Sequence, residues 1–246
     1  MDVTALQRSW DAQQEASLPD REDRFAAILD AVETIAGPAP RVLDLAGGTG
    51  SISLRLRARL PASRSLIVDA DPVLLAIAEA TFAGDDRVDV VRADLAFPDW
   101  LGAVPGERRP FDAVVTATAL HWLEPARVAA LYAEAGALLR PGGIFANADH
   151  MPDGGLAHLA PRVARVAAGR AVPAAGAHDW DGWWASLTAV PDLAGPLAGR
   201  GELRADHTRS AENSDWHVRA LRSAGFAEAG LIWRRNLDAL VVGMRS

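Results

Sequence analysis

The chain alternates short continuous apolar runs with longer stretches in which apolar residues recur at helical spacing. Short runs that stop at glycine or aspartate are typical of strands buried on both faces, whereas a spacing of three or four is typical of amphipathic helices. The alternation predicts five strand–helix units and therefore a parallel, doubly wound α/β sheet. The predicted strands are Arg41–Leu45, Ser65–Val68, Val88–Val91, Phe111–Ala117 and Ile144–Ala148.

The two ends of the chain add further elements to this sheet. Helical spacing over Thr4–Ala36, interrupted near Leu18–Pro19, predicts two helices before the first strand. A last helix at Ser214–Ser223 precedes two strands that meet in a hairpin, Ala227–Asn236 and Leu237–Met244. We expect a seven-stranded, mostly parallel sheet with an antiparallel last strand. The predicted organisation is a helical lid at 1–36, a Rossmann-like domain at 37–150 and 207–246, and a helical substrate cap inserted at 151–206.

Composition excludes several classes of protein. The 246 residues are 50% hydrophobic, which suits one domain with a well-buried core. A net charge of −7 with scattered arginines is unlike the basic face of a nucleic-acid-binding protein. The chain contains no cysteine, and neither a signal peptide nor an apolar run of membrane-spanning length is present. We therefore predict a cytoplasmic protein without nucleic-acid or membrane partners, acting as a monomer or homodimer.

A glycine-rich turn follows the first predicted strand. Ala46–Gly50 reads Ala-Gly-Gly-Thr-Gly and precedes a helical stretch through Leu60. Ligands of open parallel sheets bind at the carboxyl ends of the strands, and the first turn is their usual anchor. Glycine lets the backbone approach a ligand closely and adopt a positive φ. The same turn also occurs where a helix merely packs closely on a strand, so the turn by itself leaves both interpretations open.

Acidic residues end the next two strands. Asp69 lies 19 residues after Gly50, the approximate offset at which a carboxylate reaches a ribose diol. Asp71 is better explained as the cap of the helix that begins at Pro72. Asp94 follows the third strand, where its carboxylate could accept a hydrogen bond from an adenine amino group.

Together these segments resemble the class I S-adenosylmethionine-dependent methyltransferases. The family's first motif, commonly written VLDLGCGTG, stands here as Val42–Gly50. The resemblance continues in order through Val68–Pro72, Arg92–Asp94, Phe111–Val115 and Leu138–Gly143. It implies S-adenosylmethionine as cofactor, with Asp44 supporting the loop and the methionine portion, Asp69 holding the ribose and Asp94 facing the adenine. The full set expected at the cofactor is Trp10, Asp44, Ala46, Gly47, Gly48, Gly50, Asp69, Ala70, Asp94, Leu95 and Thr116.

The turn departs from the family pattern at one position. Ala46 stands where the family usually has its first loop glycine. Alanine fits there without strain if its φ is negative. A positive φ would cost on the order of 1 kcal/mol and weaken cofactor binding.

Two histidines are candidates for the catalytic base. His121 lies in Thr118–Trp122, which follows the fourth strand and resembles the Ser-Ala-Leu-His-Trp stretch of the trans-aconitate methyltransferase group. His150 follows Asp149 at the end of the fifth strand, and this carboxylate would raise its basicity. Either histidine has a structural role as its alternative. We expect no metal ion.

Tryptophan is unusually frequent, with eight residues against one tyrosine. Aromatic rings can line the pocket of an apolar substrate, although they can equally fix the cap to the sheet. The predicted substrate-binding residues are Trp122, Trp180, Trp183 and Trp184.

These observations favour an enzyme that transfers a methyl group to oxygen, nitrogen or carbon of a small metabolite. The first alternative is a protein of the same fold that keeps the cofactor without methyl transfer, as a cyclase-like catalyst or a binding scaffold. A nicotinamide-dependent oxidoreductase is less favoured, because the glycine pattern ends in Ser53 where a dinucleotide turn prefers glycine. The Asn-Pro-Pro-Tyr motif of some protein and nucleic-acid methyltransferases is absent after the fourth strand.

Overall fold

The computed structural model describes residues 1–18, 20–169, 179–201 and 212–246. Within these residues, seven strands form a single sheet. The strands are β1 (Arg41–Leu45), β2 (Arg64–Asp69), β3 (Val88–Arg92), β4 (Phe111–Ala117), β5 (Leu139–His150), β6 (Phe226–Arg235) and β7 (Asp238–Arg245).

The described residues also form nine α-helices. They are α1 (Val3–Ser17), α2 (Arg21–Ala36), α3 (Ser51–Arg59), α4 (Pro72–Thr81), α5 (Pro125–Leu138), α6 (Leu159–Ala168), α7 (Trp180–Ser186), α8 (Ala194–Arg200) and α9 (Ser214–Ser223). None of the helices in this described set combines the length and apolarity that crossing a bilayer needs.

The sheet has the strand order β3-β2-β1-β4-β5-β7-β6. Strands β1 to β5 are parallel, and β7 runs antiparallel to both β5 and β6. The order reverses between β1 and β4, so the carboxyl ends of these two strands diverge into a cleft. This architecture confirms the predicted seven-stranded α/β fold.

Both faces of the sheet are covered by helices. Helix α2 lies in the apolar cluster that Val42 and Ala113 share with α3, whereas α5 and α9 cover the opposite face. Four apolar side chains of α2 are buried there: Phe25, Ile28, Leu29 and Val32. The lid predicted for residues 1–36 therefore needs a correction, since α2 is a layer of the central domain and only α1 lies outside it.

Strand β5 is longer than predicted. It begins at Leu139, before the predicted start at Ile144, because Leu139 already pairs with Phe111 on β4. A register shift between Phe111 and Ala113, together with a φ of +73° at Gly142, accommodates the additional residues.

The described part of the predicted cap is helical, and it divides into two regions. Helix α6 has no buried side chain. By contrast, α7 and α8 pack against α1 and α4 through an apolar cluster that includes Trp10, Ile77 and Trp183. The predicted domain boundary between residues 206 and 207 lies outside the described residues.

Candidate active site

The glycine turn between β1 and α3 lies at the divergence of β1 and β4. A Cβ atom at Gly50 would lie 2.6 Å from the Phe82 ring, and one at Gly47 would lie 2.9 Å from the carboxyl carbon of Asp44. Around Gly48 the space is open, with a Leu74 methyl group 3.6 Å away as its closest neighbour. Two of these glycines therefore permit close packing beneath the turn, whereas Gly48 faces free space.

Three residues of the turn have a positive φ. The values are +50° at Ala46, +56° at Gly48 and +78° at Gly50. Glycine adopts this conformation without strain, whereas the methyl group of Ala46 costs roughly 1 kcal/mol. Of the two conformations considered for Ala46, the structure has the strained one.

Asp44 lies fully buried beneath the turn. Its Oδ2 accepts hydrogen bonds from Ser53 Oγ at 2.7 Å and from the Ser53 N–H at 3.3 Å. Its Oδ1 is also buried and has no hydrogen-bond partner among the described residues. Burial raises the pKa of Asp44 to about 7, against the opposing effect of the Ser53 hydrogen bonds.

Asp69 ends β2 and joins the turn to the loop that follows it. Its Oδ2 accepts the Gly48 N–H and its Oδ1 accepts the Asp71 N–H, each at 2.8 Å. Burial raises the pKa of Asp69 to about 6, although these backbone donors oppose the shift. Asp71 caps α4 by accepting the Val73 N–H at 2.9 Å, as its position before Pro72 predicts.

The other residues expected at the cofactor fall into two groups. Ala70 and Asp94 are partly exposed near the carboxyl ends of β2 and β3, and Asp94 Oδ1 accepts the Ala96 N–H at 2.9 Å. The side chains of Trp10, Leu95 and Thr116 are buried, with Leu95 in the main apolar core and the Trp10 ring packed on that of Trp183. Any contact that Leu95 and Thr116 make with a ligand therefore falls to their backbone rather than to their side chains, and a cofactor contact of Trp10 stays a prediction.

His121 and Asp149 form a hydrogen-bonded pair at the carboxyl ends of β4 and β5. His121 Nδ1 lies 2.7 Å from Asp149 Oδ1, and the His121 N–H donates to Asp149 Oδ2 at 3.1 Å. The Asp149 side chain is 2% exposed and that of His121 is 18% exposed. Burial acts to raise the pKa of Asp149, but the hydrogen bond and charge of His121 outweigh it and hold the pKa below its usual value. An ionised Asp149 accepts a hydrogen bond from Nδ1–H, which leaves the lone pair of His121 on Nε2.

His150 does not use the carboxylate that the sequence suggested for it. Only its backbone N–H donates to Asp149 Oδ1, at 2.8 Å. Its ring lies 3.3 Å from Asp238 Oδ1 on β7, and its side chain is 45% exposed. Successive side chains of a strand point to opposite faces, so Asp149 and His150 cannot both turn towards His121. The predicted pairing of His150 with Asp149 is therefore wrong.

The tryptophans predicted to bind substrate have separate environments. Trp183 is 0% exposed; its ring centroid lies 4.8 Å from that of Trp10, and its indole N–H donates to Ser9 Oγ. This burial contradicts a substrate contact for Trp183. Trp180 is 45% exposed beside Trp184. Trp122 lies next to His121, with ring centroids 5.0 Å apart.

Known proteins resemble the chain in sequence and in fold. Residues 42–143 match a family model described as a methyltransferase domain. An uncharacterized methyltransferase of Mycobacterium tuberculosis is 36% identical over 110 residues, covering 43% of this chain and 37% of that protein. Release factor glutamine methyltransferase of Rhodospirillum rubrum is 31% identical over 194 residues, covering 76% of this chain and 47% of that protein. The structure of human N-acetylserotonin methyltransferase in complex with SAM matches with a TM-score of 0.56 and 16% identity, covering 98% of this chain and 58% of that one.

The family match spans the glycine turn, both acidic strand ends and His121. Residues 42–143 are therefore a methyltransferase domain, and the sheet that contains them has the class I methyltransferase fold. The predicted family and fold are thereby confirmed, and S-adenosylmethionine, the predicted cofactor, is the cofactor of this class. The chain spans 37% and 47% of the length of the two curated relatives. The narrower resemblance to the trans-aconitate group stays a prediction.

The methyltransferase domain has hydrogen-bond acceptors that fit S-adenosylmethionine. This cofactor carries a sulfonium and an ammonium group together with a ribose diol. The buried Oδ1 of Asp44 beneath the turn has no partner among the described residues, and Asp69 has a partly exposed carboxylate beside the turn. A cationic ligand with hydroxyl groups suits both acceptors.

Sequence reasoning missed several polar residues of the methyltransferase domain. Asp149 was considered only as a neighbour of His150. Beneath it, Asn147 Nδ2 donates to Tyr132 Oη at 3.0 Å, and Tyr132 Oη lies 2.7 Å from His217 Nδ1. Burial lowers the pKa of His217 to about 4, so its ring is neutral at pH 7. The adjacency of β4 and β5 in this fold is the signal that could have paired Asp149 with His121. No local pattern marks the Tyr132–His217 contact.

Proposed function

We propose that this methyltransferase domain transfers a methyl group from S-adenosylmethionine to an oxygen or nitrogen atom of a small metabolite, with His121 as the general base. The observation that carries the proposal is the His121–Asp149 pair. It lies across the β1–β4 divergence from the turn that would hold the cofactor. A base so oriented is needed where the acceptor must lose a proton.

The chain's own residues have distinct roles in this proposal. Asp69 accepts hydrogen bonds from the ribose hydroxyls, while Asp44 supports the turn and faces the positively charged methionine portion. When bound, S-adenosylmethionine supplies a methyl group on a sulfonium centre. Asp149 fixes the tautomer of His121, and His121 Nε2 accepts the proton that the acceptor O–H or N–H gives up.

The surroundings of His121 favour a small acceptor with an aromatic or apolar body. The adjacent Trp122 ring is partly buried and provides an apolar surface beside the His121 ring. The likeness to release factor glutamine methyltransferase raises a protein acceptor as an alternative. The segment at the carboxyl end of β4 reads Thr116–Ala117–Thr118–Ala119 instead of Asn-Pro-Pro-Tyr, which favours a different acceptor chemistry. Small-molecule specificity, a cytoplasmic location and a monomeric or homodimeric state belong to the same proposal.

Cofactor binding is tested by isothermal titration with S-adenosylmethionine, S-adenosylhomocysteine, NADH and NADPH. We expect micromolar affinity for the first two compounds and none for the nicotinamide nucleotides. Binding of NADH in place of S-adenosylmethionine would overturn the proposal. Binding of S-adenosylmethionine without its consumption, with any acceptor, would favour the alternative of a scaffold or a cyclase-like catalyst.

Turnover is tested as formation of S-adenosylhomocysteine with a panel of phenols, carboxylic acids and amines. The informative pair of variants is His121→Ala and His150→Ala. His121 follows β4 and His150 ends the adjacent β5, but only the ring of His121 is paired with Asp149. We expect His121→Ala to lose turnover by about 100-fold or more while retaining S-adenosylhomocysteine affinity. We expect His150→Ala to remain close to wild type. Equal turnover in both variants would remove the base from the proposal.

A further inference from the structure

Residues 179–201, here termed the roof, pack on the opposite side of the cleft from the strand that they follow in sequence. The roof comes after β5, yet α7 and α8 pack on α1 and on α4, which follows β2. In the sheet, β1 and β4 lie between β2 and β5. The glycine turn, which follows β1, and His121, which follows β4, therefore lie between the end of β5 and the position of the roof.

One ion pair joins the roof to the loop that follows β2. Arg200 at the end of α8 donates from Nε to Asp71 Oδ2 at 2.8 Å. The guanidinium carbon of Arg200 also lies 3.6 Å from the centre of the Trp184 ring, so α7 and α8 both contribute to this contact. We refer to the Arg200–Asp71 ion pair as the latch.

The latch leads directly to the carboxylate assigned to the ribose. While Oδ2 of Asp71 receives Arg200, the backbone N–H of Asp71 donates to Asp69 Oδ1 at 2.8 Å. Asp69 in turn accepts the Gly48 N–H through its other oxygen. A displacement of the roof at Arg200 is therefore transmitted through a single residue, Asp71, to a predicted cofactor contact.

Helix α1 joins the roof to the glycine turn as well. Trp183 of the roof packs on Trp10 and donates to Ser9 Oγ at 3.1 Å. From the same helix, Gln7 Nε2 donates to Ser51 Oγ at 3.1 Å, directly after the turn. The roof is thus connected to both sides of the predicted cofactor site, by apolar packing through α1 and by the latch through Asp71.

We propose that Arg200 is a positioning residue that holds the roof against the ribose loop, so that release of the cofactor product requires the latch to open. This inference rests on the proposed function. The apolar contacts of Trp183 do not depend on Arg200, and so loss of the latch alters the opening of the roof without unfolding it. Release of product through such an opening step limits turnover in many enzymes.

The test is Arg200→Gln, with Arg200→Lys as the conservative variant and Arg162→Gln on the exposed face of α6 as the matched control. Stopped-flow tryptophan fluorescence measures dissociation of S-adenosylhomocysteine, and hydrogen exchange measures opening of residues 179–201. We expect Arg200→Gln to dissociate S-adenosylhomocysteine about tenfold faster, with faster exchange in the roof and a Tm close to wild type. We expect a smaller increase in both rates for Arg200→Lys, because lysine keeps the charge of the latch but loses the planar stacking on Trp184.

The outcomes separate the latch from the proposed function. A dissociation rate for Arg200→Gln within twofold of wild type would overturn the latch, as would an equal change in Arg162→Gln. If the wild-type protein does not bind S-adenosylhomocysteine, the proposed function fails. In that case hydrogen exchange of the roof still tests the latch, because it does not depend on cofactor binding. Unchanged exchange in Arg200→Gln would overturn the latch.

Discussion

The two sides of the cleft hold carboxylates whose pKa values shift in opposite directions. Beneath the glycine turn, burial raises the pKa of Asp44 to about 7 and that of Asp69 to about 6. Beside β5, Asp149 is also buried, but its pKa lies below the usual value because His121 donates to it. The two sides differ in their hydrogen-bond donors. Asp149 has a titratable donor, His121, whereas in the described part of the chain Asp44 and Asp69 have only hydroxyl and backbone donors.

This contrast indicates which ligand each side of the cleft requires. The carboxylates of the turn carry a desolvation penalty that a cationic, hydroxyl-bearing ligand would offset. The His121–Asp149 pair is already hydrogen-bonded within the protein, and only the methyl-acceptor substrate has to bind beside it. We therefore expect substitutions at the turn to change cofactor affinity, and substitutions at the pair to change the chemical step.

The largest expected effect comes from Asp149→Asn. An amide in place of the carboxylate can donate to Nδ1 and stabilise the wrong tautomer of His121, so we expect turnover to fall by about 100- to 10,000-fold. The affinity for S-adenosylhomocysteine should stay within about threefold of wild type, since the pair does not hold the cofactor. Formation of S-adenosylhomocysteine with an active acceptor measures the first quantity, and calorimetry measures the second. A variant with full turnover would contradict the role of the pair.

The second-largest effect is expected from Asp69→Asn, on the other side of the cleft, and it concerns cofactor affinity. Loss of charge-assisted hydrogen bonds to the ribose should raise the Kd for S-adenosylhomocysteine by about 10- to 100-fold. Turnover at saturating cofactor should change far less. Titration calorimetry tests the change, with Asp86→Asn as a control at an exposed carboxylate outside the predicted cofactor set. Unchanged affinity in Asp69→Asn would remove the ribose assignment.

Acidification should weaken cofactor binding in the wild-type protein. The raised pKa values of Asp44 and Asp69 mean that both groups take up protons as the pH falls through about 7 and 6. A ligand that needs the ionised forms binds best above this range and loses affinity below it. We expect the Kd for S-adenosylhomocysteine to rise by about tenfold or more between pH 8 and pH 5.5. Calorimetry near pH 6.5 in buffers of different ionisation enthalpy should show proton release on binding, and a Kd independent of pH would contradict the assignment.

The smallest effect is expected from Ala46→Gly. Removing a methyl group at a φ of +50° relieves roughly 1 kcal/mol of strain, partly offset by the greater freedom of glycine in the unfolded chain. We expect a Tm equal to or slightly above wild type and up to a few-fold tighter binding of S-adenosylhomocysteine. The matched control is Gly48→Ala, which places a methyl group at a φ of +56° where no side chain obstructs it. We expect Gly48→Ala to lower the Tm and to weaken binding of S-adenosylhomocysteine. Weaker binding by Ala46→Gly would contradict the prediction and show that the Ala46 methyl group contacts the ligand.

Much of the fold could be read from the sequence. The strand bounds of β1 and β4 agree with those predicted, and the turn at Ala46–Gly50 lies at the predicted place in the sheet. The signals that gave these results are local: apolar runs, glycine positions and the residue that ends each strand. The length of β5 could not be obtained in this way, because pairing of Leu139 with Phe111 overrides the Pro-Gly-Gly turn.

The sequence by itself determined the sheet, the glycine turn and the acidic strand ends, since each is encoded within a few neighbouring residues. Only the tertiary structure decided which histidine ring is hydrogen-bonded to Asp149, which lies 28 positions from His121. It also decided that Trp183 is core and that Arg200 reaches Asp71, 129 positions away. These contacts depend on how packed layers bring distant segments together, and the periodicity of a single segment carries no information about its distant partner.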